Sequence, residues 1–236
     1  MTDKEWQTCD DPDALLACLG ARPSARQLRL FGTACCRRLV SLLSERGIAE
    51  EALVFSERLA DGTAEPVGLF GVLARLQRAA WSMPNEGAEF HIWRGTELIM
   101  KGARREVGEG LRKLAAAPAW RCAPDAALSW DPNVSAFPDD PSWRTAWRRE
   151  RRAQADLVRE VFGALLRPSN FELWRTQNVM DLARTIYDEA AFDRMPILAD
   201  ALMDAGCDGE VVLAHCRGGT AHVRGCWVVD RILDKG

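Results

Sequence analysis

Apolar residues along this chain recur at spacings of three and four, and no stretch sustains the every-second-residue alternation of a half-buried strand. Asp11-Pro12-Asp13 opens a helix with an N-cap, a proline at its first position and an acid in its first turn. Leu15, Leu16, Cys18 and Leu19 form its inner face and Gly20 ends it. Ser24 to Gln27 is a capping box for a long helix on Leu28, Phe31, Cys35, Leu39 and Leu42, closed by Gly47. Ile48, Ala52, Phe55 and Leu59 mark the next helix, and Leu69, Leu73, Leu76 and Ala80 another. A break at Met83 to Gly87 follows. Residues 88 to 116 read as helix weakened by Gly95, Gly102, Gly108 and Gly110. Ser142 caps a strong helix that runs to Leu166, and Thr176 caps another with Val179, Leu182, Ala183 and Ile186 inward. A third carries Ile197, Leu198, Ala201 and Leu202, with Pro196 in its first turn and Gly206 as its C′ residue. Asp208 caps a short helix to Cys216, Gly218-Gly219 breaks it, and a last helix carries Cys226, Val229 and Leu233.

The pattern predicts an all-α fold, a compact bundle or stacked helix pairs of about eight to ten short helices. It is read as one helical domain over 1–236, with a helix-pair subregion at 176–236. Between 118 and 141 the composition changes: Pro118, Pro124, Pro132, Pro138 and Pro141 with Trp120 and Trp130 mark a long proline- and tryptophan-rich loop, and a domain boundary would fall there.

Composition narrows the function classes. Hydrophobic residues make up 47%, enough for a sizeable core, and the net charge is −3, so no overall basic surface addresses nucleic acid or membrane. Only four of the 31 basic residues are lysine, which makes any arginine cluster worth locating. No run approaches a membrane span and the amino terminus has no apolar signal core, so the expectation is a cytoplasmic protein with no membrane and with its eight cysteines reduced. Cys35 and Cys36 are helix neighbours whose side chains diverge by about 100°, which disfavours a disulfide between them.

Met1 to Trp6, Cys9 to Pro12, Arg29-Leu-Phe31 and Ala34 to Arg38 resemble the start of a large uncharacterised protein family of planctomycete bacteria. Ile186 to Arg194, Pro196 to Leu202, Ala205 to Cys207, His215 to Arg217 and the ending His222-Val-Arg-Gly-Cys-Trp-Val-Val-Asp230 resemble its other end. The resemblance covers roughly residues 1 to 60 and 155 to 236. It implies lineage, an all-helical fold and that both ends belong to one unit. It brings no activity, cofactor or site residue with it.

Two of the three histidines and three of the cysteines fall between Gly206 and Asp230. Cys207, Cys216, His222 and Cys226 are the candidate metal set, with His215 as an alternative to Cys216, because zinc takes four thiolate or imidazole ligands. On a helix, His222 and Cys226 would share one face. The chain lacks the Cys-x-x-Cys knuckle of most structural zinc sites, and buried cysteine is common in cores. A cysteine nucleophile finds no orienting or oxyanion group, so no catalytic residue is assigned and a non-enzymatic role is preferred. Arg217, Arg224 and Asp230 flank the Gly218-Gly219 turn, a weak anion cradle.

A second constellation lies on one predicted helix. Trp143, Arg144, Trp147, Arg148, Arg151, Arg152 and Arg159 interleave aromatic and guanidinium groups, as surfaces for phosphates, bases or an acidic protein partner do. The same pattern suits an amphipathic helix with its tryptophans inward. The readings therefore rank as follows: a non-enzymatic helical protein-interaction or regulatory module whose partner is another protein, then a nucleic-acid-associated protein using helix 143–159, then a zinc-binding structural protein.

Overall fold

The computed structural model describes residues 1–82, 87–102, 104–122, 140–163, 171–219 and 221–235. Most of the proline-rich stretch, 123–139, lies outside the described residues, as do the break at 83–86 and residues 164–170. All regular structure among the described residues is helical. Among the described residues thirteen α-helices, more than the pattern suggested, run as α1 (Asp3–Thr8), α2 (Pro12–Leu19), α3 (Ala25–Arg37), α4 (Gly47–Ala60), α5 (Gly68–Trp81), α6 (Ala88–Lys101), α7 (Arg104–Cys122), α8 (Pro141–Phe162), α9 (Phe171–Trp174), α10 (Gln177–Glu189), α11 (Met195–Asp204), α12 (Glu210–Arg217) and α13 (Trp227–Leu233).

Local chemistry accounts for the boundaries. Thr2 and Glu5 form a capping box that starts α1, a helix the periodicity did not reveal because it is too short to show a stripe. Ser24 and Gln27 form the expected box at α3. That helix stops at Arg37 and continues as a short 3₁₀ turn, Val40–Leu42, rather than running on to Gly47. The glycine-weakened stretch is two helices, broken where Gly102 adopts a left-handed φ of 77°. Helix α7 carries Pro118 inside it, so the first five residues assigned to the irregular loop are helical. Asp140, not Ser142, caps α8: its Oδ1 accepts from the amides of Ser142 (2.8 Å) and Trp143 (3.0 Å). Gly163, at φ 74°, ends α8. Thr176 caps α10 and Gly206 follows α11 in a left-handed conformation, both as expected.

The described residues divide into two compact units, Asp10–Leu157 and Met1–Cys9 with Val158–Gly236, so the division falls within α8 and after Cys9 rather than in the 118–141 stretch. In the first unit α6 is the central element and packs on α3, α5 and α7. Its buried Glu97 accepts from Gln77 Nε2 (2.9 Å) and pairs with Lys101 Nζ (3.0 Å) and Arg94. Three donors on one buried carboxylate are what allow its charge to be kept in the interior.

In the second unit α10 packs on α11 and α13, while α12 packs on α11 and α13, closing a four-helix corner. Its core holds Trp174, Ile186, Leu198, Leu202, Val212, Trp227 and Val229 among others. Arg159, at the end of α8, donates from one Nη to the carbonyls of Trp6 (3.0 Å) and Cys9 (2.9 Å), which ties the C-terminal end of α1 to this unit.

Candidate functional site

The four-helix corner brings Glu160, His215, His222 and Cys226 together, with one potential ligand atom from each lying within 4.8 Å of the others. Each arrives by a different local device. Glu160 sits on the buried side of α8, between Val158 and Val161, and is only 3% exposed. His215 is in the last turn of α12, whose Val212 and Cys216 face the core. Between Gly219 and Trp227 the described residues, 221 to 226, are not helical. His222 and Cys226 therefore meet through a turn at Arg224–Gly225, where Gly225 takes φ 96°, and not by sharing a helix face. Cys226 is the N-cap residue of α13, and its carbonyl accepts the first helical bond from Asp230 N (2.9 Å).

Glu160 is the hub. Its two carboxylate oxygens each lie 3.1 Å from His222 Nδ1, Oε2 lies 3.3 Å from His215 Nε2, and Oε1 accepts from Val223 N (3.3 Å). His215 Nε2 also lies 3.2 Å from Cys226 Sγ. The two imidazoles stand edge to face, 4.9 Å between centroids, and Trp227 covers His215 from 5.2 Å. Burial lowers the His215 pKa to about 4, against the upward pull of Glu160, so the ring is neutral at pH 7. Burial and then Glu160 push the Cys226 thiol well above its ordinary range, while the Val229 and Val228 amides at the start of α13 pull the other way.

Of the four metal candidates read from the sequence, His222 and Cys226 stand in this group, as does the alternative His215. Cys207 and Cys216 are buried in the apolar core of the same unit and outside the group. Burial raises the Cys216 pKa to about 12 and also raises that of Cys207. The spacing of histidines and cysteines does not point to Glu160. The signal available was its register: an acid among Val158, Val161 and Phe162 on the buried face of an amphipathic helix needs an internal partner. The other residues near the glycine pair act locally: Arg217 donates to Asp200 Oδ1 (2.9 Å), and Arg224 lies over the Tyr187 ring at 4.6 Å.

The arginine–tryptophan helix is turned largely inward. Trp143 and Trp147 are buried and stacked on each other, 5.3 Å apart at 14°. Arg151 is buried and donates to Asp11 Oδ1 and Asp13 Oδ2, both at 2.8 Å. Arg159 is held by the two carbonyls described above, and Arg152 lies 3.6 Å from Asp10. Arg144 is half-buried, while Arg148 and Arg152 are exposed.

The most prominent apolar surface lies elsewhere. Val67, Phe70 and Trp81 are 75%, 75% and 71% exposed on or just before α5. Phe70 and Trp81 are eleven residues apart, three helical turns, so they occupy one row with the exposed Ala74 between them. Helix α5 carries Arg75 and Arg78 on its solvent side and no acidic residue. No helix among the described residues is long and apolar enough to cross a membrane. Comparison of the chain with protein-family models, with curated proteins and with solved structures gives no match.

Proposed function

We propose that the chain is a non-enzymatic helical interaction module that docks a helix of a partner protein along α5. The observation that carries this reading is the exposure of Val67, Phe70 and Trp81 along one helix, because large solvent-facing apolar side chains are what a helix-in-groove or helix-pairing contact buries. Arg78 stands beside the row, Arg75 is already paired with Glu51 (2.6 Å), and the helix itself carries no acid, so the complementary partner presents apolar residues with a carboxylate for Arg78. The inward-facing tryptophans of α8 lend nothing to base stacking, and the buried thiols lend nothing to nucleophilic chemistry.

The test is site-specific photo-cross-linking in the native cell. A photoreactive residue at position 70 should give a discrete protein adduct that weakens when Trp81 is changed to Glu. An adduct pattern indistinguishable from that of the same residue at the exposed Arg184 would remove the reading.

A further inference from the structure

We infer that Glu160, His215, His222 and Cys226 form a structural zinc site that fastens the α12–α13 corner to the end of α8. This inference does not depend on the reading of α5. Zinc bonds of about 2.0–2.3 Å place the ligands of a tetrahedral ion about 3.3–3.8 Å apart. The contacts between donor atoms here are 3.1, 3.2 and 3.3 Å, and the widest separation is within 4.8 Å, so small side-chain adjustments convert the cluster to that geometry.

The donor chemistry points the same way. One thiolate, two imidazoles and one carboxylate form a borderline set suited to zinc, whereas magnesium and calcium call for oxygen ligands in greater number. A glutamate and a cysteine thiolate supply two negative charges, so with two neutral imidazoles a divalent ion makes the buried centre neutral as a whole. Without a cation the hydrogen-bonding demands compete. His215 Nε2 faces both the Glu160 carboxylate and the Cys226 sulfur, and one ring nitrogen can satisfy only one of them well.

His222 turns Nδ1 toward the group, so Nδ1 is its ligand atom, and a cation there takes the place of the hydrogen bond between Nδ1 and Glu160. Exposure assigns the role. The His215, His222 and Glu160 side chains are 15%, 5% and 3% exposed and Cys226 is fully buried, so all four positions are filled from within and none is offered to substrate.

The experiment uses the full, untagged chain purified under reducing conditions, reconstituted with zinc chloride, freed of excess metal and analysed by elemental mass spectrometry. The expected result is about one zinc per chain, with affinity falling at least ~10-fold in Glu160→Gln and Cys226→Ser and unchanged in Cys122→Ser. Glu160→Gln keeps a hydrogen-bonding side chain of the same shape, so it separates a ligand from a merely structural acceptor. Because Cys226→Ser could fail to fold, cobalt added to the metal-free unmodified chain gives an independent readout. Intense tetrahedral bands with a thiolate-to-cobalt charge-transfer band are expected. A reconstituted chain that retains no zinc, or a cobalt spectrum lacking the thiolate band, overturns the assignment.

Discussion

A methyl group on Gly110 would stand 2.9 Å from the carbonyl oxygen of Gly95 and 2.8 Å from Ile99 Cγ1. Helices α6 and α7 thus approach through bare backbone, and two glycines that weaken each helix by propensity are what let the pair close. Gly110→Ala is expected to destabilise the chain by about 1–3 kcal/mol, because neither the carbonyl nor the packed isoleucine can withdraw cheaply. Gly71→Ala, with nothing within 4 Å of the added carbon, is the control and should be neutral or slightly stabilising. Denaturant midpoints of the two variants check this.

His91 gives the fold a defined acid sensitivity. It is 4% exposed, tilted against Trp120 at 5.8 Å, and burial, assisted by Lys113, lowers its pKa to about 3. In the unfolded chain the ring takes up its proton near pH ~6.5. Between those values the unfolded state binds more protons, so stability is present above pH ~6.5 and is lost as pH falls toward 3, by at most about 1.4 kcal/mol per pH unit from this residue. Thermal melts of the unmodified chain between pH 7 and 4 should shift downward, and His91→Phe should flatten that slope. An identical slope in both would show that His91 is not its source.

Two neighbouring arginines on α8 should behave oppositely. The Arg151 side chain is 10% exposed and bonds two aspartates and Gln154, whereas that of Arg152 is 70% exposed. Replacing Arg151 with Met removes a buried cation from three acceptors and is expected to cost about 1–3 kcal/mol. Replacing Arg152 with Ala should cost no more than about 0.5 kcal/mol. Equal losses in a denaturation series would contradict this account of the helix.

Thiol reactivity reports the same burial pattern. Cys122 is exposed and Cys9 and Cys18 are half-buried, while Cys35, Cys36, Cys207, Cys216 and Cys226 are buried. A chromogenic disulfide reagent should therefore react fastest at Cys122, and Cys122→Ser should abolish that phase. The five buried thiols should react only once the chain unfolds. A fast phase that survives Cys122→Ser would place another thiol at the surface.

The sequence by itself determined the helical class and many of the helix ends, because both rest on local physics. Capping at Ser24 and Thr176, the proline in the first turn of α11 and the glycine after its end are set within a few residues of chain. It also placed His222, Cys226 and His215 in one short stretch. Tertiary packing decided the rest. Whether Arg151 and Trp143 face solvent or interior depends on what lies against α8, and helical periodicity cannot tell an inward tryptophan stripe from a recognition surface. Cys207 and Cys216 went to the apolar core because a thiol packs as readily as it ligates. Glu160 entered the cluster from more than fifty residues away in the chain. That separation leaves no spacing signal, and only the folded corner brings its carboxylate to the two imidazoles and the sulfur.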